Sequence, residues 1–160
     1  MKKILLLVLA FAAFYAHARY SFSDEQVTRW LAQHTARAMG GETTACDDYA
    51  DDVEVSLEAH GRRGHWEVEG GKNEICGYLK QAAAALTVLQ ASTRLEFDSV
   101  KVTRDGFPWR SARVQVSQRM SVSAANIPST EVRAEDELVL VRTFGGIRIR
   151  SLQSKSTGGI

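Results

Sequence analysis

Six side chains able to do chemistry crowd residues 46–52 of the stretch ACDDYADDVEVSL: Cys46, Asp47, Asp48, Tyr49, Asp51 and Asp52. Acids this dense suggest a cation site or an acid–base cluster. A calcium loop, however, wants acids at alternate positions around a glycine turn, and DDYADD has neither. Local roles account for all four acids. Asp47 and Asp48 suit the first turn of a short helix, where the helix dipole favours negative charge. Asp51 and Asp52 suit the step from that helix into a strand, because aspartate hydrogen-bonds nearby backbone amides.

A second group lies further on. His60 and His65 bracket GRRG, with Glu58 and Glu67 beside them. Two histidines and a carboxylate can ligate a metal, yet the simpler reading is a solvated loop, and no metal is expected. Arg62-Arg63 suit either an anion or plain solvent. Trp66, Phe107 and Trp109 suit a pocket mouth or turn packing. The chain has no G-x-S-x-G, no paired Cys–His nucleophile and no phosphate loop, and no cofactor is expected.

These residues need elements to hold them. Ser23-Asp24-Glu25-Gln26 reads as a capping box, and Val27, Trp30, Leu31, His34 and Ala38 recur at helical spacing until Gly40-Gly41. Thr43 or Thr44 can cap a short helix through about Ala50. From Val53 the period becomes two, with Val53, Val55 and Leu57 on one face and Glu54, Ser56 and Glu58 on the other. WEVE is a short extended piece. Gly70-Gly71 opens a helix carrying Ile75, Tyr78, Leu79, Ala82, Leu86 and Leu89. Leu95 and Phe97 have the opposite parity to Val100 and Val102, which predicts a bulge near Asp98-Ser99. Strands follow over about 111–124, 132–144 and 147–152, with Pro128 as a break. Helices on one face of a mostly antiparallel sheet make an α+β fold.

Residues 1–18 read as a leader. Lys2 and Lys3 precede an apolar run from Ile4 to Tyr15, and Ala16-His17-Ala18 is a small-x-small cleavage signal. Cleavage after Ala18 predicts a periplasmic or secreted chain of residues 19–160 forming one domain. Of 20 Lys+Arg, the leader takes two, leaving 18 against 19 Asp+Glu and a net charge of −1. That balance offers no footprint for nucleic acid. Two cysteines in an exported chain most simply pair, which predicts a Cys46–Cys76 disulfide.

The Tyr49-Ala50-Asp51-Asp52 step into a strand, the glycine-opened GGKNEICGYLKQAA and the later long strands resemble the nuclear transport factor 2-like superfamily. The likeness is to its SnoaL-like and ketosteroid-isomerase-like branches, over Ser23 to Ser154. It implies a cone: a curved antiparallel sheet packed against three N-terminal helices, with a pocket at the wide end. Ketosteroid-isomerase-like enzymes use a carboxylate base and two oxyanion donors, a tyrosine and a protonated aspartic acid. The base position falls on Leu57, which takes no proton. The tyrosine position falls near Trp30, and the aspartic acid matches Asp136. Parity also puts Asp136 on the core side, with Ala134, Leu138 and Leu140. There it is either a protonated donor in a pocket or half of an ion pair. The resulting candidate pocket is Trp30, Tyr49, Leu57 and Asp136. The expected role is a small-ligand-binding or protein-interaction module without catalysis. The partner is a small apolar ligand or another envelope protein, with homodimerisation through the outer sheet face. The alternatives are a SnoaL-like isomerase or cyclase using Asp136, and an inhibitor or immunity-type partner.

Overall fold

The computed structural model describes residues 2–61, 64–107, 109–124 and 127–158. Arg62-Arg63, and Pro108 between Phe107 and Trp109, lie outside the described residues. In chain order the elements are α1 (Lys2–Ser21), α2 (Asp24–Met39), a 3-10 helix (Thr43–Asp48), β1 (Tyr49–Gly61), β2 (Gly64–Gly70), α3 (Lys72–Val88), β3 (Ser92–Arg104), β4 (Ser111–Ala124), β5 (Ile127–Thr143) and β6 (Gly146–Gly158). The strands form one curved, open sheet in the order β2-β1-β6-β5-β4-β3. Neighbours run antiparallel except β1 and β6, which are parallel.

Period-two apolar residues fill the inner face of this sheet: Val53, Val55 and Leu57 from β1, Val114 and Val116 from β4, Leu138 and Leu140 from β5. They meet Phe22, Val27 and Leu31 at α2 and Ile75 of α3. Burying these side chains is what holds the helices on the sheet, at roughly 1.5–3 kcal/mol for each large one. The β3–β4 register shifts between Phe97 and Ser99, as the parity change predicts. The shift bends the long strands around the core.

α2 starts as its sequence predicts. Ser23 Oγ accepts from the Gln26 backbone N–H at 3.4 Å. The Gln26 side chain does not close the capping box; its amide donates to the Tyr20 hydroxyl instead. Gly40 caps the end and Gly41 turns away at φ 74°, where a side chain would be strained. Gly71 opens α3, with Glu74 Oε2 accepting from the Gly71 N–H at 2.8 Å. Cys46 and Cys76 are disulfide-bonded, tying the 3-10 helix to α3.

Several expectations are corrected. The short helix stops at Asp48, and Tyr49 and Ala50 are already buried strand residues. Its N-cap is Glu42, without a side-chain bond, rather than Thr43 or Thr44. Asp47 and Asp48 thus end that helix rather than begin it, and Asp48 is held there by Arg37 and His34. Asp51 and Asp52 are held by cations, Lys72 at 2.7 Å and Arg150 at 3.1 Å. Pro128 does not interrupt the sheet; β5 starts at Ile127, and the β4–β5 register shift between Val122 and Ala124 accommodates it. β6 runs to Gly158 rather than ending at Leu152, because it gains β1 as a second partner.

α1 stands apart. Its Phe11, Phe14 and Tyr15 touch Phe107 and Trp109 on the β3–β4 turn. Most of its apolar side chains face outward, Leu7 at 71% exposure. Among the described residues no helix is long and apolar enough to cross a membrane.

Candidate functional site

Between α2, α3 and the inner sheet face lies a cavity of about 160 Å³. Leu31, Leu57, Ile75, Leu79, Phe97 and Leu138 supply apolar wall; Tyr49, Gln118, Asp136 and Ser154 supply polar groups. The polar groups come from four adjacent strands. β5 places Asp136 opposite Val116 of β4 and Ser154 of β6. Gln118 sits two residues beyond Val116, so it shares the inward parity.

Asp136 is the least satisfied group there. Its Oδ2 accepts from Gln118 Nε2 at 2.5 Å. Its Oδ1 is buried without a hydrogen-bond partner among the described residues. Burial raises the carboxyl pKa to about 6, and Ser154 lowers it only in part. A carboxyl so placed exchanges its proton near pH 6, and its protonated form can donate to a ligand. An amide holds it where an ion pair would have supplied a cation.

The other side of the cavity is a chain of hydrogen bonds. Arg37 Nη2 donates to Asp48 Oδ2 at 2.5 Å, and His34 Nδ1 meets the same oxygen at 2.7 Å. The carboxylate facing Nδ1 makes that nitrogen the protonated one. His34 Nε2 is then the acceptor for the Tyr49 hydroxyl, 3.2 Å away. Burial raises the Tyr49 phenol pKa well above its usual value, with Asp48 and then Asp136 adding to the effect. Tyr49 therefore stays neutral at any physiological pH. It can accept from a ligand while donating to His34.

Of the sequence-derived pocket residues, Tyr49, Leu57 and Asp136 line this one cavity. Trp30 does not line it. Its indole stacks on the outer side of His34, rings 5.5 Å apart and 8° from parallel. Trp66 packs on Tyr78 of α3, and Phe107 on Trp109. Sequence reasoning did not single out His34, Arg37, Gln118 or Ser154. Two signals were available: a histidine on the apolar stripe of α2, and a glutamine on the apolar face of β4.

No protein-family model matches the chain, and no curated protein matches it. Solved structures do. An NTF2-like protein with a cystatin-like fold from Novosphingobium aromaticivorans aligns at TM-score 0.65 and 15% identity, over 92% of this chain and 86% of that one. A putative scytalone dehydratase from the same organism aligns at TM-score 0.64 and 12% identity, covering 82% and 81%. The yeast complex of the deubiquitinase Ubp3 with its cofactor Bre5 aligns at TM-score 0.57 and 14% identity, covering 81% and 92%. An enzyme-like and a protein-binding relative at similar distances give no activity to this chain. At these identities the likeness is one of architecture: the chain has the nuclear transport factor 2-like, cystatin-like fold.

Proposed function

We propose that the protein is an exported module that binds a small molecule in the cone, one ring in size and apolar except for one hydrogen-bonding group. The observation that carries this reading is Asp136 Oδ1, buried without a partner among the described residues on the wall of the cavity. A buried polar atom costs free energy until something bonds to it. The cavity of about 160 Å³ resembles in size one of about 150 Å³ that binds benzene. Phenol and cyclohexanone are suitable probes, with benzene as the apolar control. Calorimetric titration should show phenol or cyclohexanone binding more tightly than benzene, with the preference lost in Asp136→Leu. An equal preference for benzene, or an unchanged profile in Asp136→Leu, would sink the proposal.

Export rests on residues 1–18, whose helix leaves apolar side chains such as Ile4 and Leu7 uncovered. The disulfide is compatible with an oxidising compartment. Terminal sequencing of the exported form should begin at Arg19; retention of the leader would reject the cleavage site. Two copies pairing through the outer sheet face would fit the same module. Arg113 and Arg119 lie there, held by Glu137 and Asp98. A monomeric mass by light scattering at micromolar concentration rules that pairing out.

A second reading, an acid–base isomerase or lyase, has one specific observation in its favour. The Asp48–His34–Tyr49 chain leads from partly exposed Arg37 to the cavity wall. Tyr49 could pass a proton to His34, with Asp48 stabilising the imidazolium, while Asp136 gives or takes a proton across the cavity. Turnover of a bound ketone or alcohol that Tyr49→Phe and Asp136→Asn each abolish would establish it. Binding without turnover leaves the binding module.

A further inference from the structure

Away from the cavity, the β1–β2 hairpin places His60 directly opposite His65, and Glu58 opposite Glu67. Cross-strand partners and residues two apart share a face. All four side chains therefore project from one side of the hairpin, the side opposite the apolar wall made by Val53, Val55 and Leu57.

The geometry there is convergent. The two imidazole rings lie 4.6 Å apart. Glu58 Oε1 is 2.9 Å from His60 Nε2. One ligand atom from each of Glu58, His60 and His65 lies within 4.8 Å of the other two. Glu67 Oε2 stands 3.7 Å from His65 Nε2. Lys155 Nζ is 3.5 Å from Glu58 Oε2, which leaves Oε1 turned to the histidines.

We propose that Glu58, His60 and His65 form a surface site for a zinc-type divalent cation, with Glu67 within reach as a fourth ligand. Two imidazoles and one or two carboxylates are a donor set that suits Zn²⁺, Ni²⁺ and Cu²⁺ and not the hard, oxygen-seeking Mg²⁺. Zinc ligand bonds of about 2.0–2.2 Å set the donor atoms of a tetrahedral site about 3.3 Å apart. The donor atoms, now within 4.8 Å of one another, would close to that spacing as the ion binds. The histidine side chains are 54% and 47% exposed, while the ladder fixes their backbones. The hairpin thus supplies preorganisation, and the exposed edge supplies an open path for the ion.

The test is calorimetric titration of the untagged full chain with ZnCl₂ at neutral pH, with MgCl₂ in parallel. Saturable one-to-one Zn²⁺ binding is expected, and none for Mg²⁺. His60→Ala and His65→Ala should each weaken Zn²⁺ binding at least about tenfold, and Glu58→Gln by less. The sites are exposed, so unchanged melting curves will show that the variants still fold. The proposal is overturned by an absence of saturable Zn²⁺ binding. It is equally overturned if Zn²⁺ binding survives in the His60→Ala/His65→Ala double variant, or if Mg²⁺ binds as tightly as Zn²⁺. None of these outcomes depends on the cavity having a ligand.

Discussion

Asp48 and Asp136 flank Tyr49, and both of their charges raise its phenol pKa. They are the same residue type and are treated in opposite ways. Asp48, at the end of the 3-10 helix, meets an arginine and a histidine on a single oxygen. Asp136, in the middle of β5, meets the Gln118 amide on one oxygen, has the neutral Ser154 hydroxyl close by, and keeps its Oδ1 without a hydrogen-bond partner among the described residues. Burying a carboxylate is costly unless countercharge or hydrogen bonds offset it. The protein supplies the countercharge at Asp48 and withholds it at Asp136. The first acid is thereby a fixed strut for His34 and Tyr49. The second is left able to change protonation state.

The largest way to disturb this contrast is to free the segment that carries Asp48. The Cys46–Cys76 bond clamps that segment to α3 across 30 residues of chain. Closing a loop of that length is worth about 3–4 kcal/mol in the chain-entropy account. Urea midpoints for the oxidised protein and a Cys46→Ser/Cys76→Ser variant should differ accordingly. Coincident midpoints would mean that the packing around Ala45 and Ile75 holds the segment unaided.

Asp136 should appear as a pH dependence. Its folded pKa, about 6, lies above the ordinary carboxylate value. The fold therefore binds this proton more tightly than the unfolded chain does. Its contribution to stability is full below about pH 4 and is lost as pH rises toward 6. The loss totals about 3 kcal/mol at most. Asp136→Asn keeps the shape and removes the titration. Melting temperatures for both proteins between pH 3.5 and 7 should diverge as pH rises, with the variant the more stable at neutral pH. Parallel profiles would return Asp136 to an ordinary carboxylate and remove the support for a poised acid.

These two acids also show what could be read from the chain. Asp136 was legible because parity is a local rule: its even-numbered neighbours Leu138 and Leu140 are apolar, so its inward side followed. The bulge at Phe97–Ser99 and the wall made by Val53, Val55 and Leu57 were legible for the same reason. Asp48 was misplaced, because its role depends on His34 and Arg37, 14 and 11 residues earlier. No local pattern reports that approach. The β1–β6 pairing was missed on similar grounds, since a parallel ladder between the first and last strands leaves no hairpin signal. Gln118 interrupts the same-parity run Ala112, Val114, Val116, Met120 and Val122 on β4, and alternation alone gives a single polar residue there no role. A polar break in such a run marks a wall that something polar must meet.

Breaking the fixed acid should cost less than the disulfide. Asp48→Ala strips the partner from His34, which is buried, and from Arg37, which is about a third exposed. Solvent can recover Arg37 but not His34. The expected loss is about 2 kcal/mol at neutral pH, measured by urea denaturation beside Asp136→Asn. The comparison predicts opposite signs: a loss at Asp48 and a gain at Asp136. Losses at both positions would mean that the two acids play the same structural part.

The smallest expected effect is at the residue between them. Tyr49→Phe removes one hydroxyl and leaves the ring, which packs edge-on against His34 at 5.3 Å. It also leaves His34 Nε2 without the contact at 3.2 Å. One long hydrogen bond lost inside the core should cost about 1 kcal/mol. The phenol is neutral throughout the range in which Asp136 titrates, because burial and both acids hold its own pKa far above that range. Removing it therefore takes away no charge. The stability loss between pH 4 and 6 should survive in Tyr49→Phe with its midpoint unmoved. A midpoint shifted by the variant would mean that Tyr49 and Asp136 hold the proton together, and the two sides of the cavity would then act as one unit.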